Sequence, residues 1–113
     1  MKQYDLEERT YRFAINVRNY TKSLICSMSN RVYISQLIRS SSSIAANYIE
    51  ANEASSKKDF RHKIRICIRE AKESRLWLRL LEVSPLDKGA QIKYINEVTE
   101  IIKIFSSIHI NSG

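Results

Sequence analysis

From Phe60 to Leu81 the chain carries one apolar seam: Phe60, Ile64, Cys67, Ala71, Ser74, Leu78 and Leu81, spaced alternately by fours and threes. That spacing keeps seven side chains on one face of an α-helix, and it fits no single face of a strand. A seam of this length needs other helical surface to cover it. The rest of the chain can only supply helix, because two Gly and one Pro in 113 residues leave too few turn residues for a sheet. The predicted class is all-α. A chain of 113 residues makes one domain, residues 1–113, able to bury roughly two thirds of its unfolded surface.

Periodicity divides the chain into four helices. The first is expected over about 5–26, opened by a capping box of Asp5 and Glu8, with Leu6, Phe13, Val17, Tyr20 and Leu24 on one stripe. Asn30 is the expected cap of the second, over about 31–54, which buries Ile34, Leu37, Ser41, Ile44 and Tyr48. The run Ser40 to Ser43 competes for backbone hydrogen bonds, but the apolar period continues in phase through it. One unbroken helix is therefore expected, with the serines letting a neighbour approach closely. Ser56 and Asp59 give a second capping signal, and the third helix follows over about 57–82. Pro85 and Gly89 punctuate the chain before the fourth, over about 88–108, which Asp87 is placed to cap. Short connections make neighbours antiparallel, so the predicted architecture is an up-down-up-down four-helix bundle.

Helices three and four are apolar on more than the side a bundle needs. Ile66, Trp77 and Leu80 lie about 90 to 150° round from the seam at 100° per residue. In helix four Tyr94, Ile101 and Ile108 belong to a second apolar stripe. Soluble monomers avoid large exposed apolar patches, so these six residues are assigned to an oligomer interface. The alternative is that a neighbour within the bundle covers them.

The charge is +7, and residues 56–84 hold nine Lys and Arg against four acids. Lys58, Arg61, Arg65, Arg69, Lys72, Arg75 and Arg79 fall on an arc of roughly 120° beside the seam. One reading is a solvated face partly neutralised by Glu50, Glu53, Glu70 and Glu73. Another is a phosphate-contacting stripe for RNA or DNA, which would bind backbone without reading sequence. A membrane-surface helix is disfavoured, since the core already uses the apolar face. Tyr11, Tyr33 and Tyr48 are of a type that stacks on bases, without a pattern that clusters them.

Other chemistry finds little support. His62 and His109 stand alone, and neither Glu50-x-x-Glu53 nor Glu70-x-x-Glu73 has the His that a carboxylate-bridged metal pair requires, so no metal is expected. Cys26 and Cys67 form no ligand or disulfide spacing and read as small hydrophobes in a reducing compartment. No Gly-rich phosphate loop, catalytic triad pattern or cofactor motif is present. The opening MKQYDLEERTYRF, acidic within eight residues, does not read as a secretory signal, and no apolar run approaches the ~20 residues of a membrane span. A cytoplasmic protein without cofactor or catalytic residues is expected.

The stretch RSSSSIAANYIEANEASSKKDFRHKIRICIREAKESRLWLRLL resembles the 23S rRNA intervening-sequence proteins, a family of small four-helix bundles. The resemblance rests on Arg39, Ser43, Ile44, Asn47 and Glu50, then Asp59 and Phe60 after the turn, with the late pair Trp77-Leu78. Tyr48 stands where Ile is commoner, and Ala51 where Gly often follows the Glu. The resemblance implies an antiparallel bundle assembled as a homopentamer. It also implies kinship with the accessory protein of diversity-generating retroelements, a basic pentamer implicated in nucleic-acid and reverse-transcriptase binding. It does not imply a ribosomal component. Arg39, Asn47 and Glu50 recur near one side of helix two and are expected to form a structural polar network. The combined expectation is a non-enzymatic oligomer binding nucleic acid through helix three. The alternative is a protein-interaction scaffold whose basic stripe docks an acidic partner.

Overall fold

The computed structural model describes the backbone of residues 3–113 and side chains from Asp5 onward. Four helices account for almost all of it: α1 (Gln3–Thr21), α2 (Met28–Asn52), α3 (Lys57–Leu80) and α4 (Lys88–Asn111). One 3-10 turn, Pro85–Asp87, precedes α4, and no strand occurs among the described residues. Each helix packs on the next in chain order and α4 returns to α1, with α2 against α3 the most extensive pairing. The result is an up-down-up-down bundle 45 Å long.

The seam of α3 forms the core as its spacing demands. Ile64, Cys67, Ala71, Ser74 and Leu78 are fully buried, Leu81 is buried just beyond the helix, and Phe60 packs against the cluster at the other end. Leu6, Phe13 and Val17 meet them from α1, Leu37, Ile44 and Tyr48 from α2, and Val98, Ile101 and Phe105 from α4. Tyr48 and Phe105 touch edge-on across the bundle diagonal, with ring centroids 5.3 Å apart. Truncating a fully buried member such as Leu78 to Ala costs about 2–5 kcal/mol, from lost transfer energy plus a cavity.

The serine run does not break α2. Ser40, Ser41 and Ser42 return their hydroxyls to carbonyls one turn back, at 3.3 Å to Leu37, 3.3 Å to Ile38 and 2.7 Å to Ile38. Ser40 also meets Ser74 of α3 oxygen to oxygen at 2.7 Å, both side chains fully buried. Two small residues face each other here, which brings the two backbones together.

Several helix ends differ from the sequence expectation. At Gln3, α1 is already helical, so Asp5 lies in its first turn and not at its cap. The helix stops at Thr21, short of Cys26, because Lys22, Ser23 and Leu24 donate to carbonyls three residues back and tighten the chain. Asn30 does not cap α2. Ser27 does, accepting from the Asn30 N–H at 3.0 Å, and α2 therefore starts at Met28. The expected Ser56 cap is present, accepting from Asp59 N at 3.0 Å. Asp87 occupies the cap position of α4, but its carboxylate accepts from the Ser84 hydroxyl at 3.2 Å and not from the helix. Helix α3 ends at Leu80, and α4 continues past Ile108 to Asn111.

Candidate nucleic-acid interface

The seven stripe residues lie along α3, on the side that turns from solvent toward α4. Lys58, Arg65, Arg69, Lys72 and Arg79 are exposed, whereas Arg61 and Arg75 are half-buried because they reach across to α4. Arg75 Nη1 donates to Thr99 Oγ1 at 3.4 Å. Arg61 Nη1 donates to the His109 carbonyl oxygen at 2.6 Å and to Ser112 Oγ at 3.1 Å. The guanidinium thus closes the last turn of α4, where unpaired carbonyls and the negative end of the helix dipole favour a cation.

Three of the four glutamates that were candidates for neutralising the stripe are held mainly by other cations. Glu50 pairs with Lys63 at 2.8 Å. Glu70 and Glu73 both face Arg39 of α2, at 3.5 and 3.2 Å. Among the described residues no carboxylate lies within 4.0 Å of Lys58, Arg61, Arg65, Lys72, Arg75 or Arg79. Arg69 sits at that limit from Glu70, 4.0 Å away. The stripe's charge is therefore open to solvent along most of α3.

Two depressions line up in the groove between α3 and α4. The larger, about 660 Å³, is bordered by Lys57, Lys58, Arg61, His62, Arg65, His109 and Gly113. The smaller, about 310 Å³, shares Arg65 and His109 and adds Lys72, Ile68, Ser106 and Ile110. No Asp or Glu side chain borders either one. The two histidines, far apart in sequence, are thus neighbours of one basic cup. Sequence reasoning missed this, although Arg61 and His109 are equally distant from Pro85 and an antiparallel hairpin places such residues side by side.

Other assigned residues are dispersed. Arg39, Asn47 and Glu50 form no shared network. Arg39 and Glu50 tie α2 to α3 at separate levels, and Asn47 Nδ2 donates to its own helix at Ser43 O, 2.9 Å. Eight residues along a helix span about 12 Å, too far for direct contact between Arg39 and Asn47. Of the six interface residues, Ile101 is fully buried in the monomer core and is not available to a partner. Trp77 stacks on Tyr33 at 6.1 Å, Tyr94 packs on Tyr20 at 5.3 Å, and Ile108 leans on the core. Ile66 is half-buried, and only Leu80, 41% accessible, is exposed. The bundle itself covers most of this face. Tyr11, Ile38 and Ile49 on α1 and α2 are exposed instead. The three tyrosines do not cluster, since Tyr48 is buried and Tyr33 is stacked on Trp77.

A third groove, about 560 Å³, separates α1 from α4, with Phe13 and Tyr94 beneath charged residues of both signs. Its charges are largely paired internally, Arg9 with Glu97 through two contacts of 2.8 Å and Arg12 with Glu8 at 2.7 Å. Among the described residues no group of three His, Cys, Asp or Glu is placed to hold a metal, and no helix is long and apolar enough to cross a membrane.

Fold and surface together define a small all-α bundle with a largely uncompensated basic face on α3. The chain belongs to the 23S rRNA-intervening sequence protein family, whose model matches residues 2–107. A crystal structure of a protein of unknown function from the S23 ribosomal protein family of Bacteroides thetaiotaomicron is similar throughout. Its identity to this chain is 33%, the TM-score is 0.84, and the match covers 96% of this chain and 98% of that one. A search of curated proteins returned no match. Neither the family nor the neighbour carries an enzymatic description.

Proposed function

We propose that this protein is a non-enzymatic bundle that binds RNA or DNA through the basic face of α3, chiefly by phosphate contacts. The observation that carries the reading is the separation of charges: Arg39 and Lys63 hold Glu50, Glu70 and Glu73, and among the described residues the stripe keeps a single acidic contact, Arg69 to Glu70 at 4.0 Å. An exposed row of Arg and Lys releases counterions when it meets a polyanion, an effect that needs no base-specific geometry.

The protein is further proposed to act as a homo-oligomer, a pentamer by its family resemblance. Exposed Tyr11, Ile38 and Ile49 offer apolar surface for such contacts. Repeating the basic face around a ring raises effective concentration, so weak single contacts sum to useful avidity.

The reading is tested by titrating labelled duplex RNA, duplex DNA and single strands at graded salt. Binding that weakens with a log–log slope of about −0.9 per phosphate contact on duplexes supports it. No binding to any of the three at low salt refutes it and moves the search to acidic protein partners.

A further inference from the structure

The larger cup differs from the rest of the stripe in being walled by two helices. The first turns of α3 supply Lys57, Lys58, Arg61, His62 and Arg65, and the last turn of α4 supplies His109. Arg61 is held in place by the His109 carbonyl oxygen and Ser112, so its remaining N–H groups are fixed before any ligand arrives. Arg61 Nη2 also lies 3.3 Å from His109 Nε2. A guanidinium has donors and no acceptor, so this contact is a hydrogen bond only while Nε2 is unprotonated. A protonated His109 would set two donors against each other, and an anionic oxygen between them would satisfy both.

We propose that this cup is a discrete subsite for one phosphoryl group, held by Arg61, Arg65 and Lys58, with protonated His109 as a further donor. The inference rests on the reading that the basic face of α3 meets nucleic acid, and it names one place on that face where a phosphate is gripped and not merely attracted. Its signature is proton uptake. Partial burial, and then the Arg61 and Arg65 charges, hold the free imidazole below its ordinary pKa. A bound phosphoryl group adds negative charge and a hydrogen-bond acceptor, and both favour the imidazolium. The groups facing His109 are Arg61, Arg65, Lys57, Lys58, His62 and Gly113 around the cup and Lys72 in the adjoining depression, and no Asp or Glu side chain is among them. Affinity at this subsite therefore rises as pH falls, by at most about tenfold per pH unit for one linked proton.

The test is an NMR titration of the histidine ring signals in the full chain, with pyrophosphate as probe, run across pH for wild type, His109→Gln and Arg65→Gln. Arg61 is left intact because it closes α4. Pyrophosphate is expected to raise the His109 pKa in wild type and to do so far less in Arg65→Gln. His109→Gln is expected to bind with a shallower pH dependence, which also accounts for the probe's own protonation. A His109 titration curve that pyrophosphate leaves unmoved overturns the subsite. A parallel arm with duplex RNA separates the two readings. If pyrophosphate shifts His109 but RNA does not bind, the subsite stands and the nucleic-acid function falls. If RNA binds with a steep salt slope and neither ligand moves His109, the function stands and the subsite falls.

Discussion

Asn30 at the start of α2 and Glu82 just beyond α3 hold each other through a reciprocal pair of hydrogen bonds. Asn30 Nδ2 donates to the Glu82 carbonyl oxygen at 2.8 Å, and the Glu82 N–H donates to Asn30 Oδ1 at 2.9 Å. The same amide donates to Ile25 O at 2.9 Å, and the side chain is fully buried. One residue thus fixes both loops at this end of the bundle. Asn30→Ala removes three bonds and leaves buried backbone groups without partners, at about 1–3 kcal/mol for each group that water cannot reach. Urea denaturation is expected to show a loss of roughly 2–3 kcal/mol with an unchanged m-value. A loss under ~0.5 kcal/mol would show the loops are held by other contacts.

The Ser40–Ser74 contact yields a test by double-mutant cycle. Each single Ser→Ala change leaves the other hydroxyl with only its own helix carbonyl, Leu37 O for Ser40 and Glu70 O for Ser74. Removing both is expected to cost less than the two single losses added, by about 0.5–1.5 kcal/mol. Ser40→Leu is expected to cost more than either, because the added atoms force α2 and α3 apart. Strict additivity in equilibrium unfolding would mean the hydroxyls do not cooperate.

The two thiols differ in environment. Cys26 is exposed, and Cys67 is fully buried, with burial pushing its pKa up to about 12. A thiol reagent at pH 8 is expected to label one cysteine rapidly in the native protein and the second only on unfolding. Rapid labelling of both would indicate that α3 opens readily from the bundle.

Alkaline pH should weaken the fold through a buried phenol. Tyr20 donates to Asp87 O at 3.3 Å, and burial, followed by the Asp87 and Tyr94 charges, raises its pKa from 10.0 to about 12. The folded state keeps this proton where the unfolded chain has lost it. The contribution is therefore complete below pH 10 and disappears as pH rises through about 12. Tyr20→Phe is expected to be less stable at pH 8 but to decline less steeply between pH 10 and 12, measured as urea midpoints. An identical alkaline profile would place the sensitivity elsewhere, with the raised phenol of Tyr48 and thiol of Cys67 next to be tested.

The helices were legible in sequence because the seam of α3 and the stripes facing it are set by spacing alone. Their ends were less so. Asn30 and Ser27 are both good cap residues, and tertiary bonding to Glu82 decides which one serves. The basic stripe was also legible, since a helical wheel places Lys58 to Arg79 together. Its near-freedom from acids was not, because it depends on Arg39 and Lys63 holding Glu50, Glu70 and Glu73. The interface assignment failed at Ile101 for a related reason. A helix apolar on two sides can bury both within its own bundle, and α4 places Ile101 in the core while Tyr94 packs on α1. The segment HINSG, beyond the expected end of helix four, supplies His109 and Ser112 to Arg61 through contacts that no local pattern signals.

The central claim is that the largely uncompensated face of α3 contacts phosphate. Its most direct test compares wild type with Arg65→Glu/Lys72→Glu, two exposed changes outside the core, for duplex RNA binding at graded salt. Both proteins are first checked for equal helicity and mass in solution. The account predicts that the variant binds far more weakly and that its log–log salt slope is shallower by about 2, one unit for each lost phosphate contact. Equal affinity and equal slope in the two proteins would contradict it and leave the charge of α3 as a solvated surface.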